Sequence, residues 1–328
     1  MRNRVINKYE RQFFKIANIH GVSFVHTLRK KMIVPLLIVI IGFSVYQFTP
    51  QSSIERPPFL SFDREGPLVI AHRGGSDIAP ENTMVAIENA EQLGVDIVEI
   101  DIHMTKDGHL VLIHDKTVNR TTDGTGYVHQ LTLEEIQSLD AGYRYIGKNG
   151  DYDFRGKGVY IPTLEEAFDK FPNMKFIIEL KHTNPKETHG TIAKKLWELI
   201  ELYNMEDQVL VSSFNQSIIQ SFDKHAKGQV ALGTGRKEAL RFVVAHKLNV
   251  QNLFKPTGHV ISFPKKQRNI NLFKKSFILG AKNLGMDIYY WTINEEETMR
   301  EMINAGVDGI ITDQPDILME ILKQKGYR

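Results

Sequence analysis

From Pro67 onward, short runs rich in Val, Ile and Leu alternate with stretches in which apolar side chains recur every three or four residues. Runs of the first kind fit strands buried on both faces and those of the second fit amphipathic helices, so the alternation predicts βα units and a parallel sheet. Strands are predicted over 68–72, 97–103, 110–114, 176–180, 208–212, 230–233, 259–262, 287–292 and 309–312. Helices are predicted, among others, over 81–93, 133–139, 163–170, 189–202, 272–284 and 295–304. Residues 104–109 are too few for a parallel crossover between the second run and the third. Asp107-Gly108 is instead a two-residue hairpin signal, so 110–114 is expected to return antiparallel, leaving eight parallel strands. The expected fold is α/β: a (β/α)8 TIM barrel with a small insertion over about residues 116–160, after the hairpin at the barrel mouth.

A different pattern precedes this body. Residues 32–48 (MIVPLLIVIIGFSVYQF) carry no formal charge, and seventeen residues is the short limit for a helix that spans a bilayer. Residues 1–31 carry eight basic side chains against one acid, Glu10. A signal peptide would have a shorter basic region and end on small residues, whereas this run closes on Tyr46-Gln47-Phe48. The expected organisation is a basic tail (1–31), a transmembrane anchor (32–48), a Pro- and Ser-bearing linker (49–66) and the barrel domain (67–328). The positive-inside rule then places the chain in the cell membrane as a single-pass protein, N-terminus cytoplasmic and body extracytoplasmic.

Composition narrows the chemistry. The chain has no cysteine, which excludes disulfides, thiolate metal ligands and a Cys nucleophile. Beyond the tail there are 33 basic and 38 acidic side chains, about −5, which argues against nucleic acid as a partner. Nothing in the pattern points to a protein partner.

Barrels of this kind work at the carboxyl ends of their strands. Those ends offer His72-Arg73, Glu99 with Asp101, and Glu179 with Lys181. Alternation puts Glu99 and Asp101 on one side of their strand, and Glu179 and Lys181 on one side of theirs. Three carboxylates aimed into a barrel need a partner charge. They suit a hard divalent cation, Mg²⁺ or Ca²⁺, the alternative being an ion-pair network with Arg73 and Lys181. With Asp107-Gly108 as the turn, His114 lies opposite Asp101, or opposite Glu99 in a register two residues different, and shares their face either way. His72 and His114 are thus candidate proton donors and acceptors beside the carboxylates. The planar fork of Arg73 suits a phosphate, or a salt bridge to Glu99 or Asp101. Trp291, at another strand end, fits a pocket wall or a packed core equally well.

The ordered set His72-Arg73-Gly74, Pro80-Glu81-Asn82-Thr83, Glu99-Ile100-Asp101, Thr105-Lys106-Asp107-Gly108, His114-Asp115, Arg120-Thr121-Thr122, Glu179-Leu180-Lys181, Ser213-Phe214, Trp291-Thr292-Ile293-Asn294 and residues 306–313 (GVDGIITD) resembles the glycerophosphodiester phosphodiesterase family. The resemblance runs from about Leu68 to Pro315 and is weakest over 216–282. It implies metal-dependent hydrolysis of a small glycerophosphodiester to sn-glycerol 3-phosphate and an alcohol. By that likeness Glu99, Asp101 and Glu179 hold one divalent cation, and His72 and His114 act as acid and base. Arg73 and Lys181 contact the phosphate, and Trp291 borders the glycerol or leaving-group pocket. A lysophospholipase D acting at a membrane surface is the alternative enzyme; a tethered, non-catalytic binding barrel is a third reading, disfavoured because every expected polar residue is present.

Overall fold

The computed structural model describes residues 53–328, together with Ile33 and Gly42. Residues 51–328 form one compact unit. In chain order its strands are β1 (Leu68–Ala71), β2 (Ile97–Met104), β3 (Leu110–Leu112), β4 (Phe176–Leu180), β5 (Val209–Ser212), β6 (Ala231–Leu232), β7 (Val260–Pro264), β8 (Lys266–Gln267), β9 (Ile270–Asn271), β10 (Asp287–Trp291) and β11 (Gly309–Thr312). Its helices are α1 (Met84–Leu93), α2 (Leu133–Gln137), α3 (Leu164–Lys170), α4 (His189–Leu202), α5 (Gln216–Ala226), α6 (Arg236–Lys247), α7 (Lys275–Asn283), α8 (Glu296–Ala305) and α9 (Pro315–Gln324).

Eight strands run parallel in the order β6-β5-β4-β2-β1-β11-β10-β7, and β3 alone lies antiparallel on β2. A single bridge, Gly233 to Val260, joins the two ends, so the barrel is nearly closed. Period-two alternation sorts the strand side chains. Val98, Ile100, Ile102, Phe176 and Ile178 point out against the helices, while Leu68, Ile70, Ile97, Ile177, Leu210, Val260, Tyr289 and Ile311 fill the lower interior. Gly309 makes room for this filling: a Cβ there would stand 2.6 Å from the Tyr289 ring and 2.9 Å from Ile70. The insertion after β3 has a core of its own, with Val118, Val128, Ile136 and Val159 packed on Val111 and Ile113.

Two expectations change. Phe59 and Leu60, inside the stretch read as a linker, are 0% and 2% exposed and pack beneath the lower interior. A short 3-10 turn at Pro58–Leu60 presents them, held by Lys175 Nζ on the Phe59 carbonyl (2.7 Å) and by Arg56 on Asp287 (2.5 Å). The single-pass membrane placement is overturned. Among the described residues no helix is long and apolar enough to cross a membrane. The longest, α4, has 14 residues and rises about 21 Å, against roughly 30 Å of hydrocarbon. The run 32–48 on which that placement rested lies, but for Ile33 and Gly42, outside the described residues.

The floor of the barrel carries a measurable cost. Burial, with Asp287 close by, pushes the Asp308 carboxyl up to about 6. Its contribution to stability is therefore full below the unfolded value near 4 and is lost as pH rises through 6. Asp308→Asn keeps an oxygen for the Ile288 N–H (2.9 Å) and should stabilise the protein by about 2 kcal/mol at pH 7.5. Thermal melts should show that gain at pH 7.5 and its disappearance at pH 4.5; an equal gain at both would refute the titration account.

Candidate active site

The upper interior changes character within two residues. On β2 the inward sequence is Ile97, Glu99, Asp101, and on β4 it is Ile177, Glu179, with Asp101 paired to Glu179 in register. One oxygen from each of Glu99, Asp101 and Glu179 lies within 4.8 Å of the others. Burial pushes Glu99 up to about 7 and Glu179 to about 8, with the Asp101 charge adding to both. For Asp101 the burial cost is outweighed by Lys181 and Arg73, which hold it down at about 2. Lys181 Nζ stands 3.0 Å from Asp101 and 3.2 Å from Glu179, yet Glu179 Oε1 is buried without a hydrogen bond. Two carboxyls raised by burial beside Asp101, a Glu179 oxygen with no hydrogen bond and an all-oxygen donor set fit a hard divalent cation. The alternative ion-pair network is present too, but one lysine and one arginine leave the trio short of charge.

The two histidines reach this trio by different routes. His72 continues the inward phase of Leu68 and Ile70, its Nε2 4.0 Å from Glu99. Its Nδ1 is 2.6 Å from Asp313, which continues the inward phase of Ile311 on the neighbouring strand. Asp313 also accepts from Ser76 Oγ (2.5 Å) and Asn294 Nδ2 (2.7 Å). Burial alone would lower the His72 imidazole; the Asp313 bond and the Glu99 charge overcome it and raise it.

His114 corrects the expected hairpin register. Ile102 pairs with Leu112 and Met104 with Leu110, so Ile113, not His114, sits opposite Asp101, with its N–H on the Asp101 carbonyl. The turn is one residue longer than expected: Thr105 pairs with His109 around Lys106-Asp107-Gly108, with Gly108 at φ +90°, a three-residue loop. A one-residue slip would turn His114 to the outer face. It lines the same cavity as the carboxylates because the chain leaves the ladder after Ile113. Its Nδ1 is 2.7 Å from Asp115; burial lowers its basicity, against the pull of Asp101 and Asp115.

Arg73 sits in the turn between β1 and the loop to α1 with φ +53°. Gly74 follows at φ +86°, so close to α1 that a Cβ would stand 2.6 Å from that of Ala86. The Arg73 backbone N–H binds Glu99 (2.9 Å) and its guanidinium binds Glu81 (2.9 Å), with Nε 3.5 Å from Asp101 and making no hydrogen bond. Glu81 accepts in turn from Arg120 (2.7 Å), which also grips Asp115 (2.7 Å). One chain of ion pairs thus runs from Arg73 to His114. Asn82 clasps Asp101 twice, through its side-chain N–H and through its oxygen on the Asp101 amide.

Sequence reasoning gave no role to Glu81, Asn82, Arg120 or Asp313. For Asp313 a signal existed, since it carries the β11 inward phase one step past Ile311. Trp291 ends β10 on the cavity wall, edge-on to Phe214 with ring centroids 5.6 Å apart. The cavity, about 400 Å³, has a polar end at the carboxylates and an apolar arm along Leu240, Val243, Phe263 and Leu272.

At this end the parallel barrel gathers three carboxylates, two imidazoles, Arg73 and Lys181, a set open to several hydrolytic chemistries. Comparison with known proteins narrows this: the sequence model of the glycerophosphoryl diester phosphodiesterase family matches residues 72–317, and the chain belongs to that family. A glycerophosphodiester phosphodiesterase of Caldanaerobacter subterraneus subsp. tengcongensis is 38% identical over 262 residues, covering 79% of this chain and 99% of the relative. One from Bacillus subtilis is 31% identical over 324 residues, covering 92% and 100%. The solved structure of an Oleispira antarctica phosphodiesterase in complex with the product sn-glycerol-3-phosphate matches at 27% identity and TM-score 0.64, covering 79% of this chain and 97% of that one. The chain is an enzyme of this kind, and a small-molecule glycerophosphodiester is its substrate class.

Proposed function

We propose that the barrel domain, residues 67–328 with its insertion over about 116–160, hydrolyses glycerophosphodiesters to sn-glycerol 3-phosphate and an alcohol at this cluster. The observation that carries the reading is the carboxylate trio beside two imidazoles and an unpaired Arg73 N–H. Glu99, Asp101 and Glu179 would hold one divalent cation, Mg²⁺ or Ca²⁺. Bound there, the ion would offset charge on a phosphate oxygen. Arg73 aims its buried Nε, and Lys181 its ammonium, at the same charge. His72 and His114 form an acid-base pair, one taking the proton of the attacking water or glycerol hydroxyl and the other protonating the leaving alkoxide; where the glycerol hydroxyl attacks, water then opens the cyclic phosphate. Such assistance is worth roughly 10²–10⁴-fold. Asp313 and Asp115 orient the two rings through Nδ1. Trp291 and Phe214 border the glycerol or the leaving group.

The apolar arm favours a second reading, lysophospholipase D, in which an acyl chain lies along Leu240, Val243 and Phe263. One assay tests both. The full chain is expected to release glycerol 3-phosphate from glycerophosphocholine, to stop in EDTA and to resume with Mg²⁺ or Ca²⁺. Release that ignores EDTA would refute the metal reading; a rate on lysophosphatidylcholine above that on glycerophosphocholine would favour the second.

A further inference from the structure

The outer face made by α6, α7 and the β8–β9 hairpin plays no part in the chemistry above. Its charge stands apart from the rest of the body. From residue 236 to 282 the chain carries eleven Lys and Arg against one acid, Glu238, while the remainder beyond residue 31 holds 22 basic and 37 acidic side chains. Glu238 is 2% exposed and bound by Gln216 and Thr257, so this stretch shows no acid to solvent. Lys265 is tied to Glu301. Among the described residues no ion pair holds the exposed Lys237, Lys247, Lys266 and Lys275.

The same face is apolar where a solvated helix is polar. Leu240 and Val244 on α6 and Leu248 at its C-terminal cap follow at four-residue intervals and are 64%, 44% and 65% exposed. At 100° per residue they share an arc of about 120° with Lys237, Arg241 and Lys247. The opposite side of α6 already buries Phe242, Val243 and Ala245, so the leucine stripe is surplus to the core. Leu279 on α7 is half exposed, and α7 adjoins α6 where Phe277 meets His246 (5.8 Å). Leu240 and Ile270 also stand on the rim of the active-site cavity, so the patch reaches the apolar arm.

We propose that this face docks on the surface of an anionic lipid bilayer, with the lysines and arginines among the headgroups and the leucine stripe in the interface. The charge is complementary to anionic headgroups, and the interleaved leucines select a surface with an apolar interior over a nucleic acid or a soluble polyanion. The contact is peripheral, made by the surface of a folded face. It is independent of which phosphodiester is cleaved.

Because the chain has no cysteine, a single one introduced as Leu248→Cys and carrying an environment-sensitive fluorophore reports this position alone in the full-length protein. A control, Gln92→Cys, lies on α1, four helices away around the eight that ring the barrel, and is exposed. With vesicles of phosphatidylglycerol and phosphatidylcholine, emission at 248 should shift to the blue and that at 92 should not. Each lysine lost near an anionic surface weakens partitioning about fivefold. The Lys237→Glu/Lys266→Glu pair in the 248 background, which removes two lysines and adds two acids, should therefore require at least about 30-fold more lipid for the same shift. A far-UV circular dichroism spectrum unchanged in that variant shows that it is folded. No shift at 248, an equal shift at both positions, or one indifferent to charge reversal or to neutral vesicles overturns the proposal. Since the signal is optical, it stands or falls apart from the catalytic reading.

Discussion

Replacing Glu179 by Gln is expected to lower kcat/KM for glycerophosphodiesters by about 10³-fold, the equivalent of about 4 kcal/mol, while making the metal-free protein more stable. Both effects come from one crowded spot. Three carboxylates within 4.8 Å repel one another, and burial with the Asp101 charge raises Glu179 to about 8. A folded-state value above the unfolded one means that Glu179 stabilises fully below about 4.5 and progressively less as pH climbs through 8. Wild type in EDTA should therefore lose melting temperature between pH 5 and pH 8.5, and Glu179→Gln should lose less. Adding Mg²⁺ or Ca²⁺ should raise the wild-type melting temperature, through binding to the native state alone, and leave the variant almost unmoved. A variant that gains as much from the ion as wild type would remove Glu179 from the proposed ligand set.

His72→Ala and His114→Ala should each reduce kcat by roughly 10²–10⁴-fold, and a change of leaving group should tell them apart. A substrate releasing p-nitrophenolate needs no proton at its departing oxygen. The variant lacking the acid should recover most of its rate on it, whereas the variant lacking the base should not. Asp313→Asn keeps volume and the bonds of Ser76 and Asn294 within reach, but removes the carboxylate 2.6 Å from His72 Nδ1. That carboxylate raises the imidazole against its burial, so the pH limb assigned to His72 should move to lower pH in the variant. Full activity in both alanine variants would dismiss the imidazoles from the chemistry.

The barrel could be read from sequence because its information is local. Each strand declares itself by four to seven apolar or alternating residues, and parity along one strand is a matter of geometry, which is why Glu99 and Asp101 share a side of their strand and Glu179 and Lys181 a side of theirs. Parity carried across a turn is weaker. One residue more in the Lys106-Asp107-Gly108 loop shifts the hairpin, and His114 reaches the cavity by leaving the ladder. The partners of the site were less legible: parity along β11 points Asp313 inward, but its meeting with His72 spans 241 residues of chain, and Arg120 meets Glu81 across 39. No local pattern encodes such pairings. Phe59 and Leu60 were missed for a related reason, two apolar residues among prolines and serines giving no periodicity to follow.

Those two residues also set the traffic of the enzyme. With Phe59 and Leu60 stopping the lower end and the layer around Tyr289 filling the space above them, the cylinder is a cul-de-sac. With the lower end filled, substrate and product are expected to share the upper doorway, so that added glycerol 3-phosphate should slow turnover by competing with fresh diester for one threshold.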